Sequence, residues 1–327
     1  MVNMEAGRRP ARKGSCFKNG CFGCLGVILL AVVLPLGWVF LEMARGVPEN
    51  RRETQELTHV LPGNPDLAAQ GGLPLPEGAL AALPTGRVHV DFSMASFTIE
   101  PGPAGEPIRV EADYDTGTYE LVEEYQAEGE LGWTYNLSFR PKVSWIRRLF
   151  AGSHGENNSI RLILPRGTPM SLAGDLGVGE SDLELGGLWL TDVSLDIGIG
   201  DHTIRFSEPL AQPLETLHLS SWVGEVKVMR IGNASPSQVT LSHRLGEVYF
   251  DLRGEWRNDS AVEVTCGVGA CGVRLPGEGV NVDLVRASIS IGDQRTPEWG
   301  NLRPTIEGAP TIHVDITGTL GELTVDE

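Results

Sequence analysis

In its C-terminal half the chain alternates apolar and polar residues in short runs that end on a glycine. Residues 193–199 alternate in this way before Gly200 and Asp201, and Ile204 and Phe206 then resume the pattern. Alternation with a period of two indicates half-buried β-strands, and glycine permits a sharp bend between them. Each unit is therefore predicted to hold two short strands joined at a glycine–acid corner.

This corner occurs seven times, and the position numbers of successive corner glycines differ by 21, 24, 22, 23, 23 and 29. An apolar residue precedes every corner glycine, and an acid follows six of them, with Ala270 as the exception. The corner glycines are Gly179, Gly200, Gly224, Gly246, Gly269, Gly292 and Gly321. One unit alone cannot bury its apolar face, whereas stacked units can. The near-constant period, ~22 residues, therefore predicts a β-solenoid.

The predicted fold class is all-β, with a single N-terminal transmembrane helix followed by this repetitive β-solenoid, or β-helix-like, ectodomain. The ectodomain is predicted over 87–327, with entry strands in 87–170 and repeats in 171–327. Val88, Val90 and Phe92 begin the same period-two alternation in the entry strands. Gly and Pro punctuate that alternation, which favours antiparallel strands and turns.

An uncharged stretch runs from Gly20 to Leu41. As a helix it would span roughly 33 Å, close to the thickness of a bilayer core. We predict a basic cytoplasmic arm over 1–19 and a transmembrane helix over 20–44. The basic arm places the N-terminus in the cytoplasm and the C-terminal domain in the periplasm, at the inner membrane of a bacterium. A cleaved signal peptide ending at Ala44 is the alternative.

The apolar stretch holds no His, Asp, Glu, Lys or Arg, so it offers no imidazole to a haem or pigment. Small residues cluster in its first half, where they would let another helix approach closely. These candidate helix-packing residues are Gly20, Gly23, Cys24 and Gly26. The expected partners are therefore the lipid bilayer and integral membrane proteins, and no cofactor is expected.

Residues 45–86 are rich in Pro, Gly and Ala, with six prolines between Gly46 and Gly86. Proline removes a backbone donor and fixes φ, which disfavours a long helix or a central strand. We predict a semi-rigid linker that holds the ectodomain away from the bilayer.

The formal charge of −17 is unevenly distributed: residues 1–20 carry +4, which leaves about −21 for the remainder. An acidic surface disfavours nucleic acid, because affinity for phosphates comes mainly from Lys and Arg. One basic, aromatic segment departs from this background. It is either a solvated loop or a docking patch for anionic lipid headgroups or an acidic partner, since Trp, Phe and Arg are enriched at interfaces. The candidate patch is Arg140, Lys142, Trp145, Arg147, Arg148 and Phe150.

Cys266 and Cys271 flank the one corner that lacks an acid. Outside the membrane the compartment is oxidising, so a disulfide is favoured over two buried free thiols. The corner acids could coordinate Ca²⁺ or could simply keep the corner in water. We favour water, because the nine-residue Gly-Gly-x-Gly-x-Asp repeat of calcium-binding β-rolls is absent. These acids are Glu180, Asp201, Glu225, Glu247, Asp293 and Glu322.

Catalytic motifs are not found along the chain. None of the seven histidines stands in a zincin pattern, and neither a Gly-x-Ser-x-Gly elbow nor a phosphate loop followed by a helix pattern occurs. We therefore expect no enzyme and no metal site.

The strand opening at Arg87–Phe92, the turn over 162–167 and the Gly-Asp/Glu corners resemble a bacterial group of membrane-anchored β-solenoid domains. This group is known as toast-rack or adhesin-like domains of the DUF4097 type, and the resemblance covers roughly 87–327. Some members belong to envelope-stress sensing systems, and the group implies no catalytic residues.

The expected function is a non-catalytic, single-pass structural or docking subunit of a larger membrane complex. An energy-transducing assembly, photosynthetic or respiratory, has the same layout, although no residue points to photosynthesis. The alternatives are an envelope-stress sensor or regulator and a surface adhesin.

Overall fold

The computed structural model describes residues 33–41, 51–61, 86–128, 132–144, 158–297, 300–301 and 304–327. Residues 33–41 form helix α1, which belongs to a compact unit separate from the β domain. The rest of the predicted span 20–44, including its four helix-packing residues, lies outside the described part, as does the basic arm 1–19. Within the described ranges no helix is both long and apolar enough to cross a bilayer.

Seven strands precede the glycine repeats, and buried residues alternate with more exposed ones as predicted in β2 (Gly86–Met94), β4 (Ile108–Asp115) and β6 (Gly132–Pro141). Strand β6 shows the pattern clearly, because Trp133, Tyr135, Leu137 and Phe139 are fully buried between outward polar residues. The seven strands are β1 (Arg52–His59), β2 (Gly86–Met94), β3 (Ser96–Gly102), β4 (Ile108–Asp115), β5 (Tyr119–Glu128), β6 (Gly132–Pro141) and β7 (Ser159–Pro165).

Strand β1 corrects the prediction that 45–86 is entirely linker. It pairs antiparallel with β4 over its full length, and Arg52 forms a two-pronged contact with Asp113. The strand is possible because no proline lies between Pro48 and Pro62. An edge strand buries few side chains, so its sequence shows little apolar–polar alternation. For this reason the sequence pattern did not predict β1. Residues 62–85 of the predicted linker lie outside the described part.

The repeats form the larger part of the sheet. Their strands are β8 (Met170–Val178), β9 (Ser181–Glu184), β10 (Leu190–Arg205), β11 (Thr216–Met229), β12 (Gln238–Asp251), β13 (Ser260–Arg274), β14 (Asn281–Arg295), β15 (Gly300–Asn301) and β16 (Thr311–Asp326). A short 3-10 helix, Ile231–Asn233, lies between β11 and β12.

The repeats stack as parallel layers in register, so that each corner glycine pairs with the next. Gly200 pairs with Gly224, Gly224 with Gly246, and Gly246 with Gly269. Strands β8 and β9 are the two arms of one such layer, before and after Gly179. Beyond it, β2 and β3 form the next layer, and β6 and β7 pair with their outer sides. The corners therefore form one continuous edge of the stack.

The prediction of two short strands per unit needs correction. Strands β10 to β14 and β16 each run for 14 to 16 residues through the corner glycine without interruption. The chain bends at the glycine, yet the hydrogen-bonded ladder continues on both sides. The corner is thus a kink within a strand, because every layer bends at the same register position.

The last two repeats are not stacked in sequence order. Strand β16, which contains Gly321, lies between β13 and β14 and pairs in parallel with both. The final strand of the chain is therefore an inner layer, and β14 is displaced to the outside. The wider spacing before Gly321 in the sequence reflects this longer connection.

The core lies between the two arms of each layer. One inward column contains Leu195, Leu219, Leu241, Val264 and Ile316, all buried and aligned from strand to strand. Burial of one such side chain contributes about 1.5–3 kcal/mol. The column shows how stacking buries an apolar face that a single repeat would expose.

Candidate functional site

The corner glycines adopt a backbone conformation that other residues rarely reach. All seven have φ between 131° and 146°. A Cβ atom placed on Gly246 would lie 2.0 Å from the carbonyl oxygen of Gly224, and each successive layer repeats this close approach. Glycine is therefore required both for the bend and for the distance between layers.

The residue before each corner glycine points outwards and forms an exposed apolar row, which we name the corner ridge. Its side chains are between 37% and 65% exposed. Six strand spacings of about 4.8 Å make the ridge roughly 29 Å long. In spatial order its members are Val178, Ile199, Val223, Leu245, Val268, Leu320 and Ile291. The sequence revealed the apolar residues, but their outward direction depends on the kink.

A row of acids runs beside the corner ridge, one residue beyond each glycine. Lys227 pairs with Glu225, and hydrogen bonding to that carboxylate raises the pKa of Lys227. Within the described part of the chain, the other five corner acids have no ion-pair partner; they are Glu180, Asp201, Glu247, Asp293 and Glu322. Like charges on adjacent strands repel each other, and Lys227, which also attracts Asp201 and Glu247, offsets this repulsion in only part of the row.

The acid row is interrupted at Ala270. An open depression of about 350 Å³ lies there, bordered by Glu247, Tyr249 and Glu322. Gly272 forms its floor, and the ring of Tyr249 leans towards it. Among the residues described, no three His, Cys, Asp or Glu side chains are grouped to hold a metal ion. The corner acids are instead spread along successive strands.

Inside the corner, the residue three before and the residue two after the glycine are buried at the five corners from Gly179 to Gly269, whereas Gln294 at the Gly292 corner is exposed. At the Gly269 corner these are Cys266 and Cys271, which form a disulfide with an S–S distance of 2.10 Å and a Cα–Cα distance of 6.3 Å. Both are buried. The two cysteines therefore join the arms of one layer covalently at the corner that lacks an acid.

Two serine–histidine pairs lie at these interior positions, each between neighbouring layers, and sequence reasoning missed them. Ser181 Oγ lies 2.8 Å from His202 Nδ1, and Ser221 Oγ lies 2.6 Å from His243 Nδ1. Burial lowers the pKa of His202 to about 4, although the nearby Asp201 opposes the shift. Burial also lowers the pKa of His243.

The geometry of these pairs favours a packing role. All four residues are at most 7% exposed, and the buried Nε2 atoms of both histidines have no hydrogen-bond partner in the part of the chain that the structure describes. A nucleophile must be within reach of a substrate, and its base is normally oriented by a third group. The pairs therefore serve as hydrogen bonds between layers. The two histidines occupy different positions in their repeats, because His202 follows Gly200 and His243 precedes Gly246. Their spacing in the sequence therefore did not reveal the two pairs.

The candidate basic patch is only partly described. Arg140 Nε donates to Glu120 at 2.7 Å, and the Lys142 backbone N–H donates to Thr118 O. Trp145, Arg147, Arg148 and Phe150 lie outside the described residues. In sequence the segment lies between β6, which pairs with β2, and β7, which pairs with β3.

Three solved bacterial structures are similar to this chain. A candidate cell adhesion protein from Clostridium sporogenes is 13% identical, with a TM-score of 0.42, and the match covers 85% of this chain and 99% of that one. A candidate adhesin from Bacteroides fragilis is 10% identical, with a TM-score of 0.36 and coverage of 85% and 99%. A candidate adhesin from Parabacteroides merdae is 8% identical, with a TM-score of 0.30 and coverage of 86% and 98%.

Curated proteins provide no significant match to the chain. Residues 81–229 match the model of the N-terminal domain of toast_rack, DUF2154, where the sequence pattern suggested the DUF4097 type. The matched stretch contains the entry strands from β2 onwards and the corners at Gly179, Gly200 and Gly224. The resemblance that the glycine corners suggested is thereby confirmed as a match of residues 81–229 to this toast-rack family model.

Proposed function

We propose that this chain is a non-catalytic structural protein that docks onto integral membrane proteins through the corner ridge. Residues 20–44 would anchor it in the inner membrane of a bacterium, with 1–19 in the cytoplasm and the toast-rack stack in the periplasm. The uncharged stretch and the basic arm before it support this orientation.

The single observation that carries the docking role is the exposure of the corner ridge. Monomeric soluble proteins rarely leave long contiguous rows of Val, Ile and Leu in water, and such rows mark interaction sites. The ridge belongs to a stack whose register is continuous from layer to layer, so its side chains are held at regular spacing. A partner would therefore meet a preorganised surface.

Purification of the tagged full-length chain from its native membranes in mild detergent tests the proposal. We expect a stoichiometric set of membrane proteins to accompany the wild type. The variant Ile199→Ser/Val223→Ser/Leu245→Ser should lose this set, because it removes the centre of the apolar row. Val60→Ser is the matched control, since Val60 is 76% exposed and lies outside the ridge.

Two results would contradict the proposal: a wild type that brings no partner, or a ridge variant that keeps the full set. Binding of wild-type protein to intact cells, without membrane partners, would favour an adhesin instead.

A further inference from the structure

We infer that the corner ridge binds the basic segment 140–150 of a second copy, so that copies associate head to tail. The inference rests on the proposed docking role of the ridge and names the integral membrane protein that occupies it as a second copy of this chain. It joins two surfaces of the same chain whose chemistries are complementary.

The ridge offers apolar side chains beside a row of carboxylates in which Lys227 is the one nearby cation among the described residues, acting on Asp201, Glu225 and Glu247. Leu245 and Glu247 are an example: Leu245 is 48% exposed, and Glu247 has no ion-pair partner among the described residues. Elsewhere on the β domain, acids commonly contact arginine, as Asp113, Glu120 and Asp315 do. A partner with Lys or Arg beside apolar groups would cover the row and relieve the repulsion between neighbouring carboxylates.

Segment 140–150 has this composition. It contains four bases, Arg140, Lys142, Arg147 and Arg148, and no acid. Val143, Trp145, Ile146, Leu149 and Phe150 are interleaved with them. No stretch of equal length elsewhere in 45–327 combines four bases with as many large apolar residues. Arg140 is already engaged with Glu120, so Lys142, Arg147 and Arg148 are the bases that would meet the acid row.

The place of the segment in the chain supports contact between copies. It lies in the connection between β6, which ends at Pro141 and pairs with β2, and β7, which begins at Ser159 and pairs with β3. The segment and the ridge are different parts of the same chain, because the ridge residues lie between Val178 and Leu320. A contact between two different surfaces is heterologous, and repetition of it produces chains of copies rather than a closed two-fold dimer.

The test uses the full-length chain, inserted singly into lipid nanodiscs and followed by sedimentation velocity. We expect the wild type to form species larger than dimers as its concentration rises. The ridge variant Ile199→Ser/Val223→Ser/Leu245→Ser and the segment variant Trp145→Ser/Arg147→Glu/Arg148→Glu should each associate at least about tenfold more weakly. Val60→Ser should behave as the wild type does.

Mixing the two variants provides the decisive measurement. The ridge variant still offers an intact segment, and the segment variant still offers an intact ridge. An equimolar mixture should therefore form a 1:1 dimer and nothing larger. Circular dichroism verifies that each variant is folded. We expect the ridge variant to fold, because all three of its altered side chains are exposed.

A wild type that stays monomeric, variants that associate normally, or a mixture of folded variants that does not dimerise would each overturn the inference. The proposed function fails separately. If the wild type is monomeric but the ridge variant still loses its co-purifying membrane proteins, the docking role stands and only the second copy is excluded as the occupant.

Discussion

At the scale of single residues, the corner glycines carry the fold. Their positive φ and their contact with the previous layer are independent reasons why no side chain is tolerated. The acid that follows six of the seven glycines is not what produces the bend, and among the described residues only Glu225 of these acids forms an ion pair. The conformation of the corner is thus determined by the glycine, and the charge beside it remains available for contact.

Replacement of Gly246 by alanine should be strongly destabilising. The backbone strain alone is of order 1–3 kcal/mol, and the new Cβ would also push against Gly224 O at 2.0 Å. We expect a total loss of about 3 kcal/mol or more in the free energy of unfolding, measured by urea titration. Gly277→Ala is the control, because its Cβ meets nothing within 4 Å and its effect should stay within about 1 kcal/mol. Equal losses for the two variants would contradict this account.

His202 should make the stability of the stack depend on pH. Its pKa falls from 6.5 to about 4 on folding, so between these values the unfolded chain binds the proton and the folded chain does not. Stability should therefore be complete above pH 6.5 and decline as the pH falls towards 4. For this buried side chain the total loss is on the order of 3 kcal/mol.

The difference between the urea midpoints at pH 6.5 and pH 5 measures this effect, because most carboxylates stay ionised in this pH range. His202→Gln should reduce the difference between the two midpoints, while the buried His243 retains a contribution of the same sign. His218→Gln is the matched control, because His218 is exposed on the same stack. An unchanged difference in the His202 variant would show that the buried imidazole is not responsible.

At the scale of elements, the unit of the stack is one long kinked strand rather than two short ones. Each strand from β10 to β13 pairs on both sides of the kink. The corner disulfide is therefore an addition to a layer that backbone hydrogen bonds already hold. Because it closes a loop between residues only five apart in sequence, its contribution should be modest.

Reduction of Cys266–Cys271 should lower the free energy of unfolding by about 2 kcal/mol, on the chain-entropy estimate for a short loop. The stack should remain folded. The measurement compares urea midpoints with and without reductant, together with thiol labelling of the unfolded protein. Cys266→Ala/Cys271→Ala is the control, and its midpoint should be insensitive to reductant. A wild type whose midpoint does not respond would argue against a stabilising bond.

At the scale of the β domain, the order of the layers departs from the order of the sequence. Strand β16 has neighbours on both sides, whereas β14 pairs along its length with β16 alone and meets β15 at only two positions. At this open edge, the Ile289 N–H donates to the Gln294 side chain, which in turn donates to Ala287 O. The chain thus satisfies part of its own sheet edge, as exposed edge strands require.

Hydrogen exchange should reveal this order directly. Amides of β16 are expected to exchange as slowly as those of β12 and β13, because all are interior layers. In β14, the amides at 290–295 that face away from β16 should exchange much faster, since protection follows hydrogen bonding and burial. Mass spectrometry of peptides from 281–295 and 311–326 measures the contrast. Faster exchange in β16 than in β14 would contradict the layer order.

Much of this architecture was determined by the sequence alone, because it follows from local constraints. Alternation over a few residues decides which side chains enter the core, as in Val193–Ile197. A backbone bend that only glycine tolerates must reappear as glycine at every layer, so the seven corners were visible as a period. Both signals are contained within the length of a single repeat.

The tertiary structure alone decided features that depend on contacts between distant segments. Local alternation is compatible with either order of β14 and β16. Which of the two strands pairs with β13 is therefore decided by packing between distant segments. Strand β1 was concealed because its order comes from pairing with β4 rather than from its own pattern. The ridge and the serine–histidine pairs exist because the kinks align in register, which turns one apolar residue per repeat outwards and brings side chains of different repeats to hydrogen-bonding distance. Short-range periodicity specifies the repeating unit, whereas the order and alignment of the units depend on non-local packing.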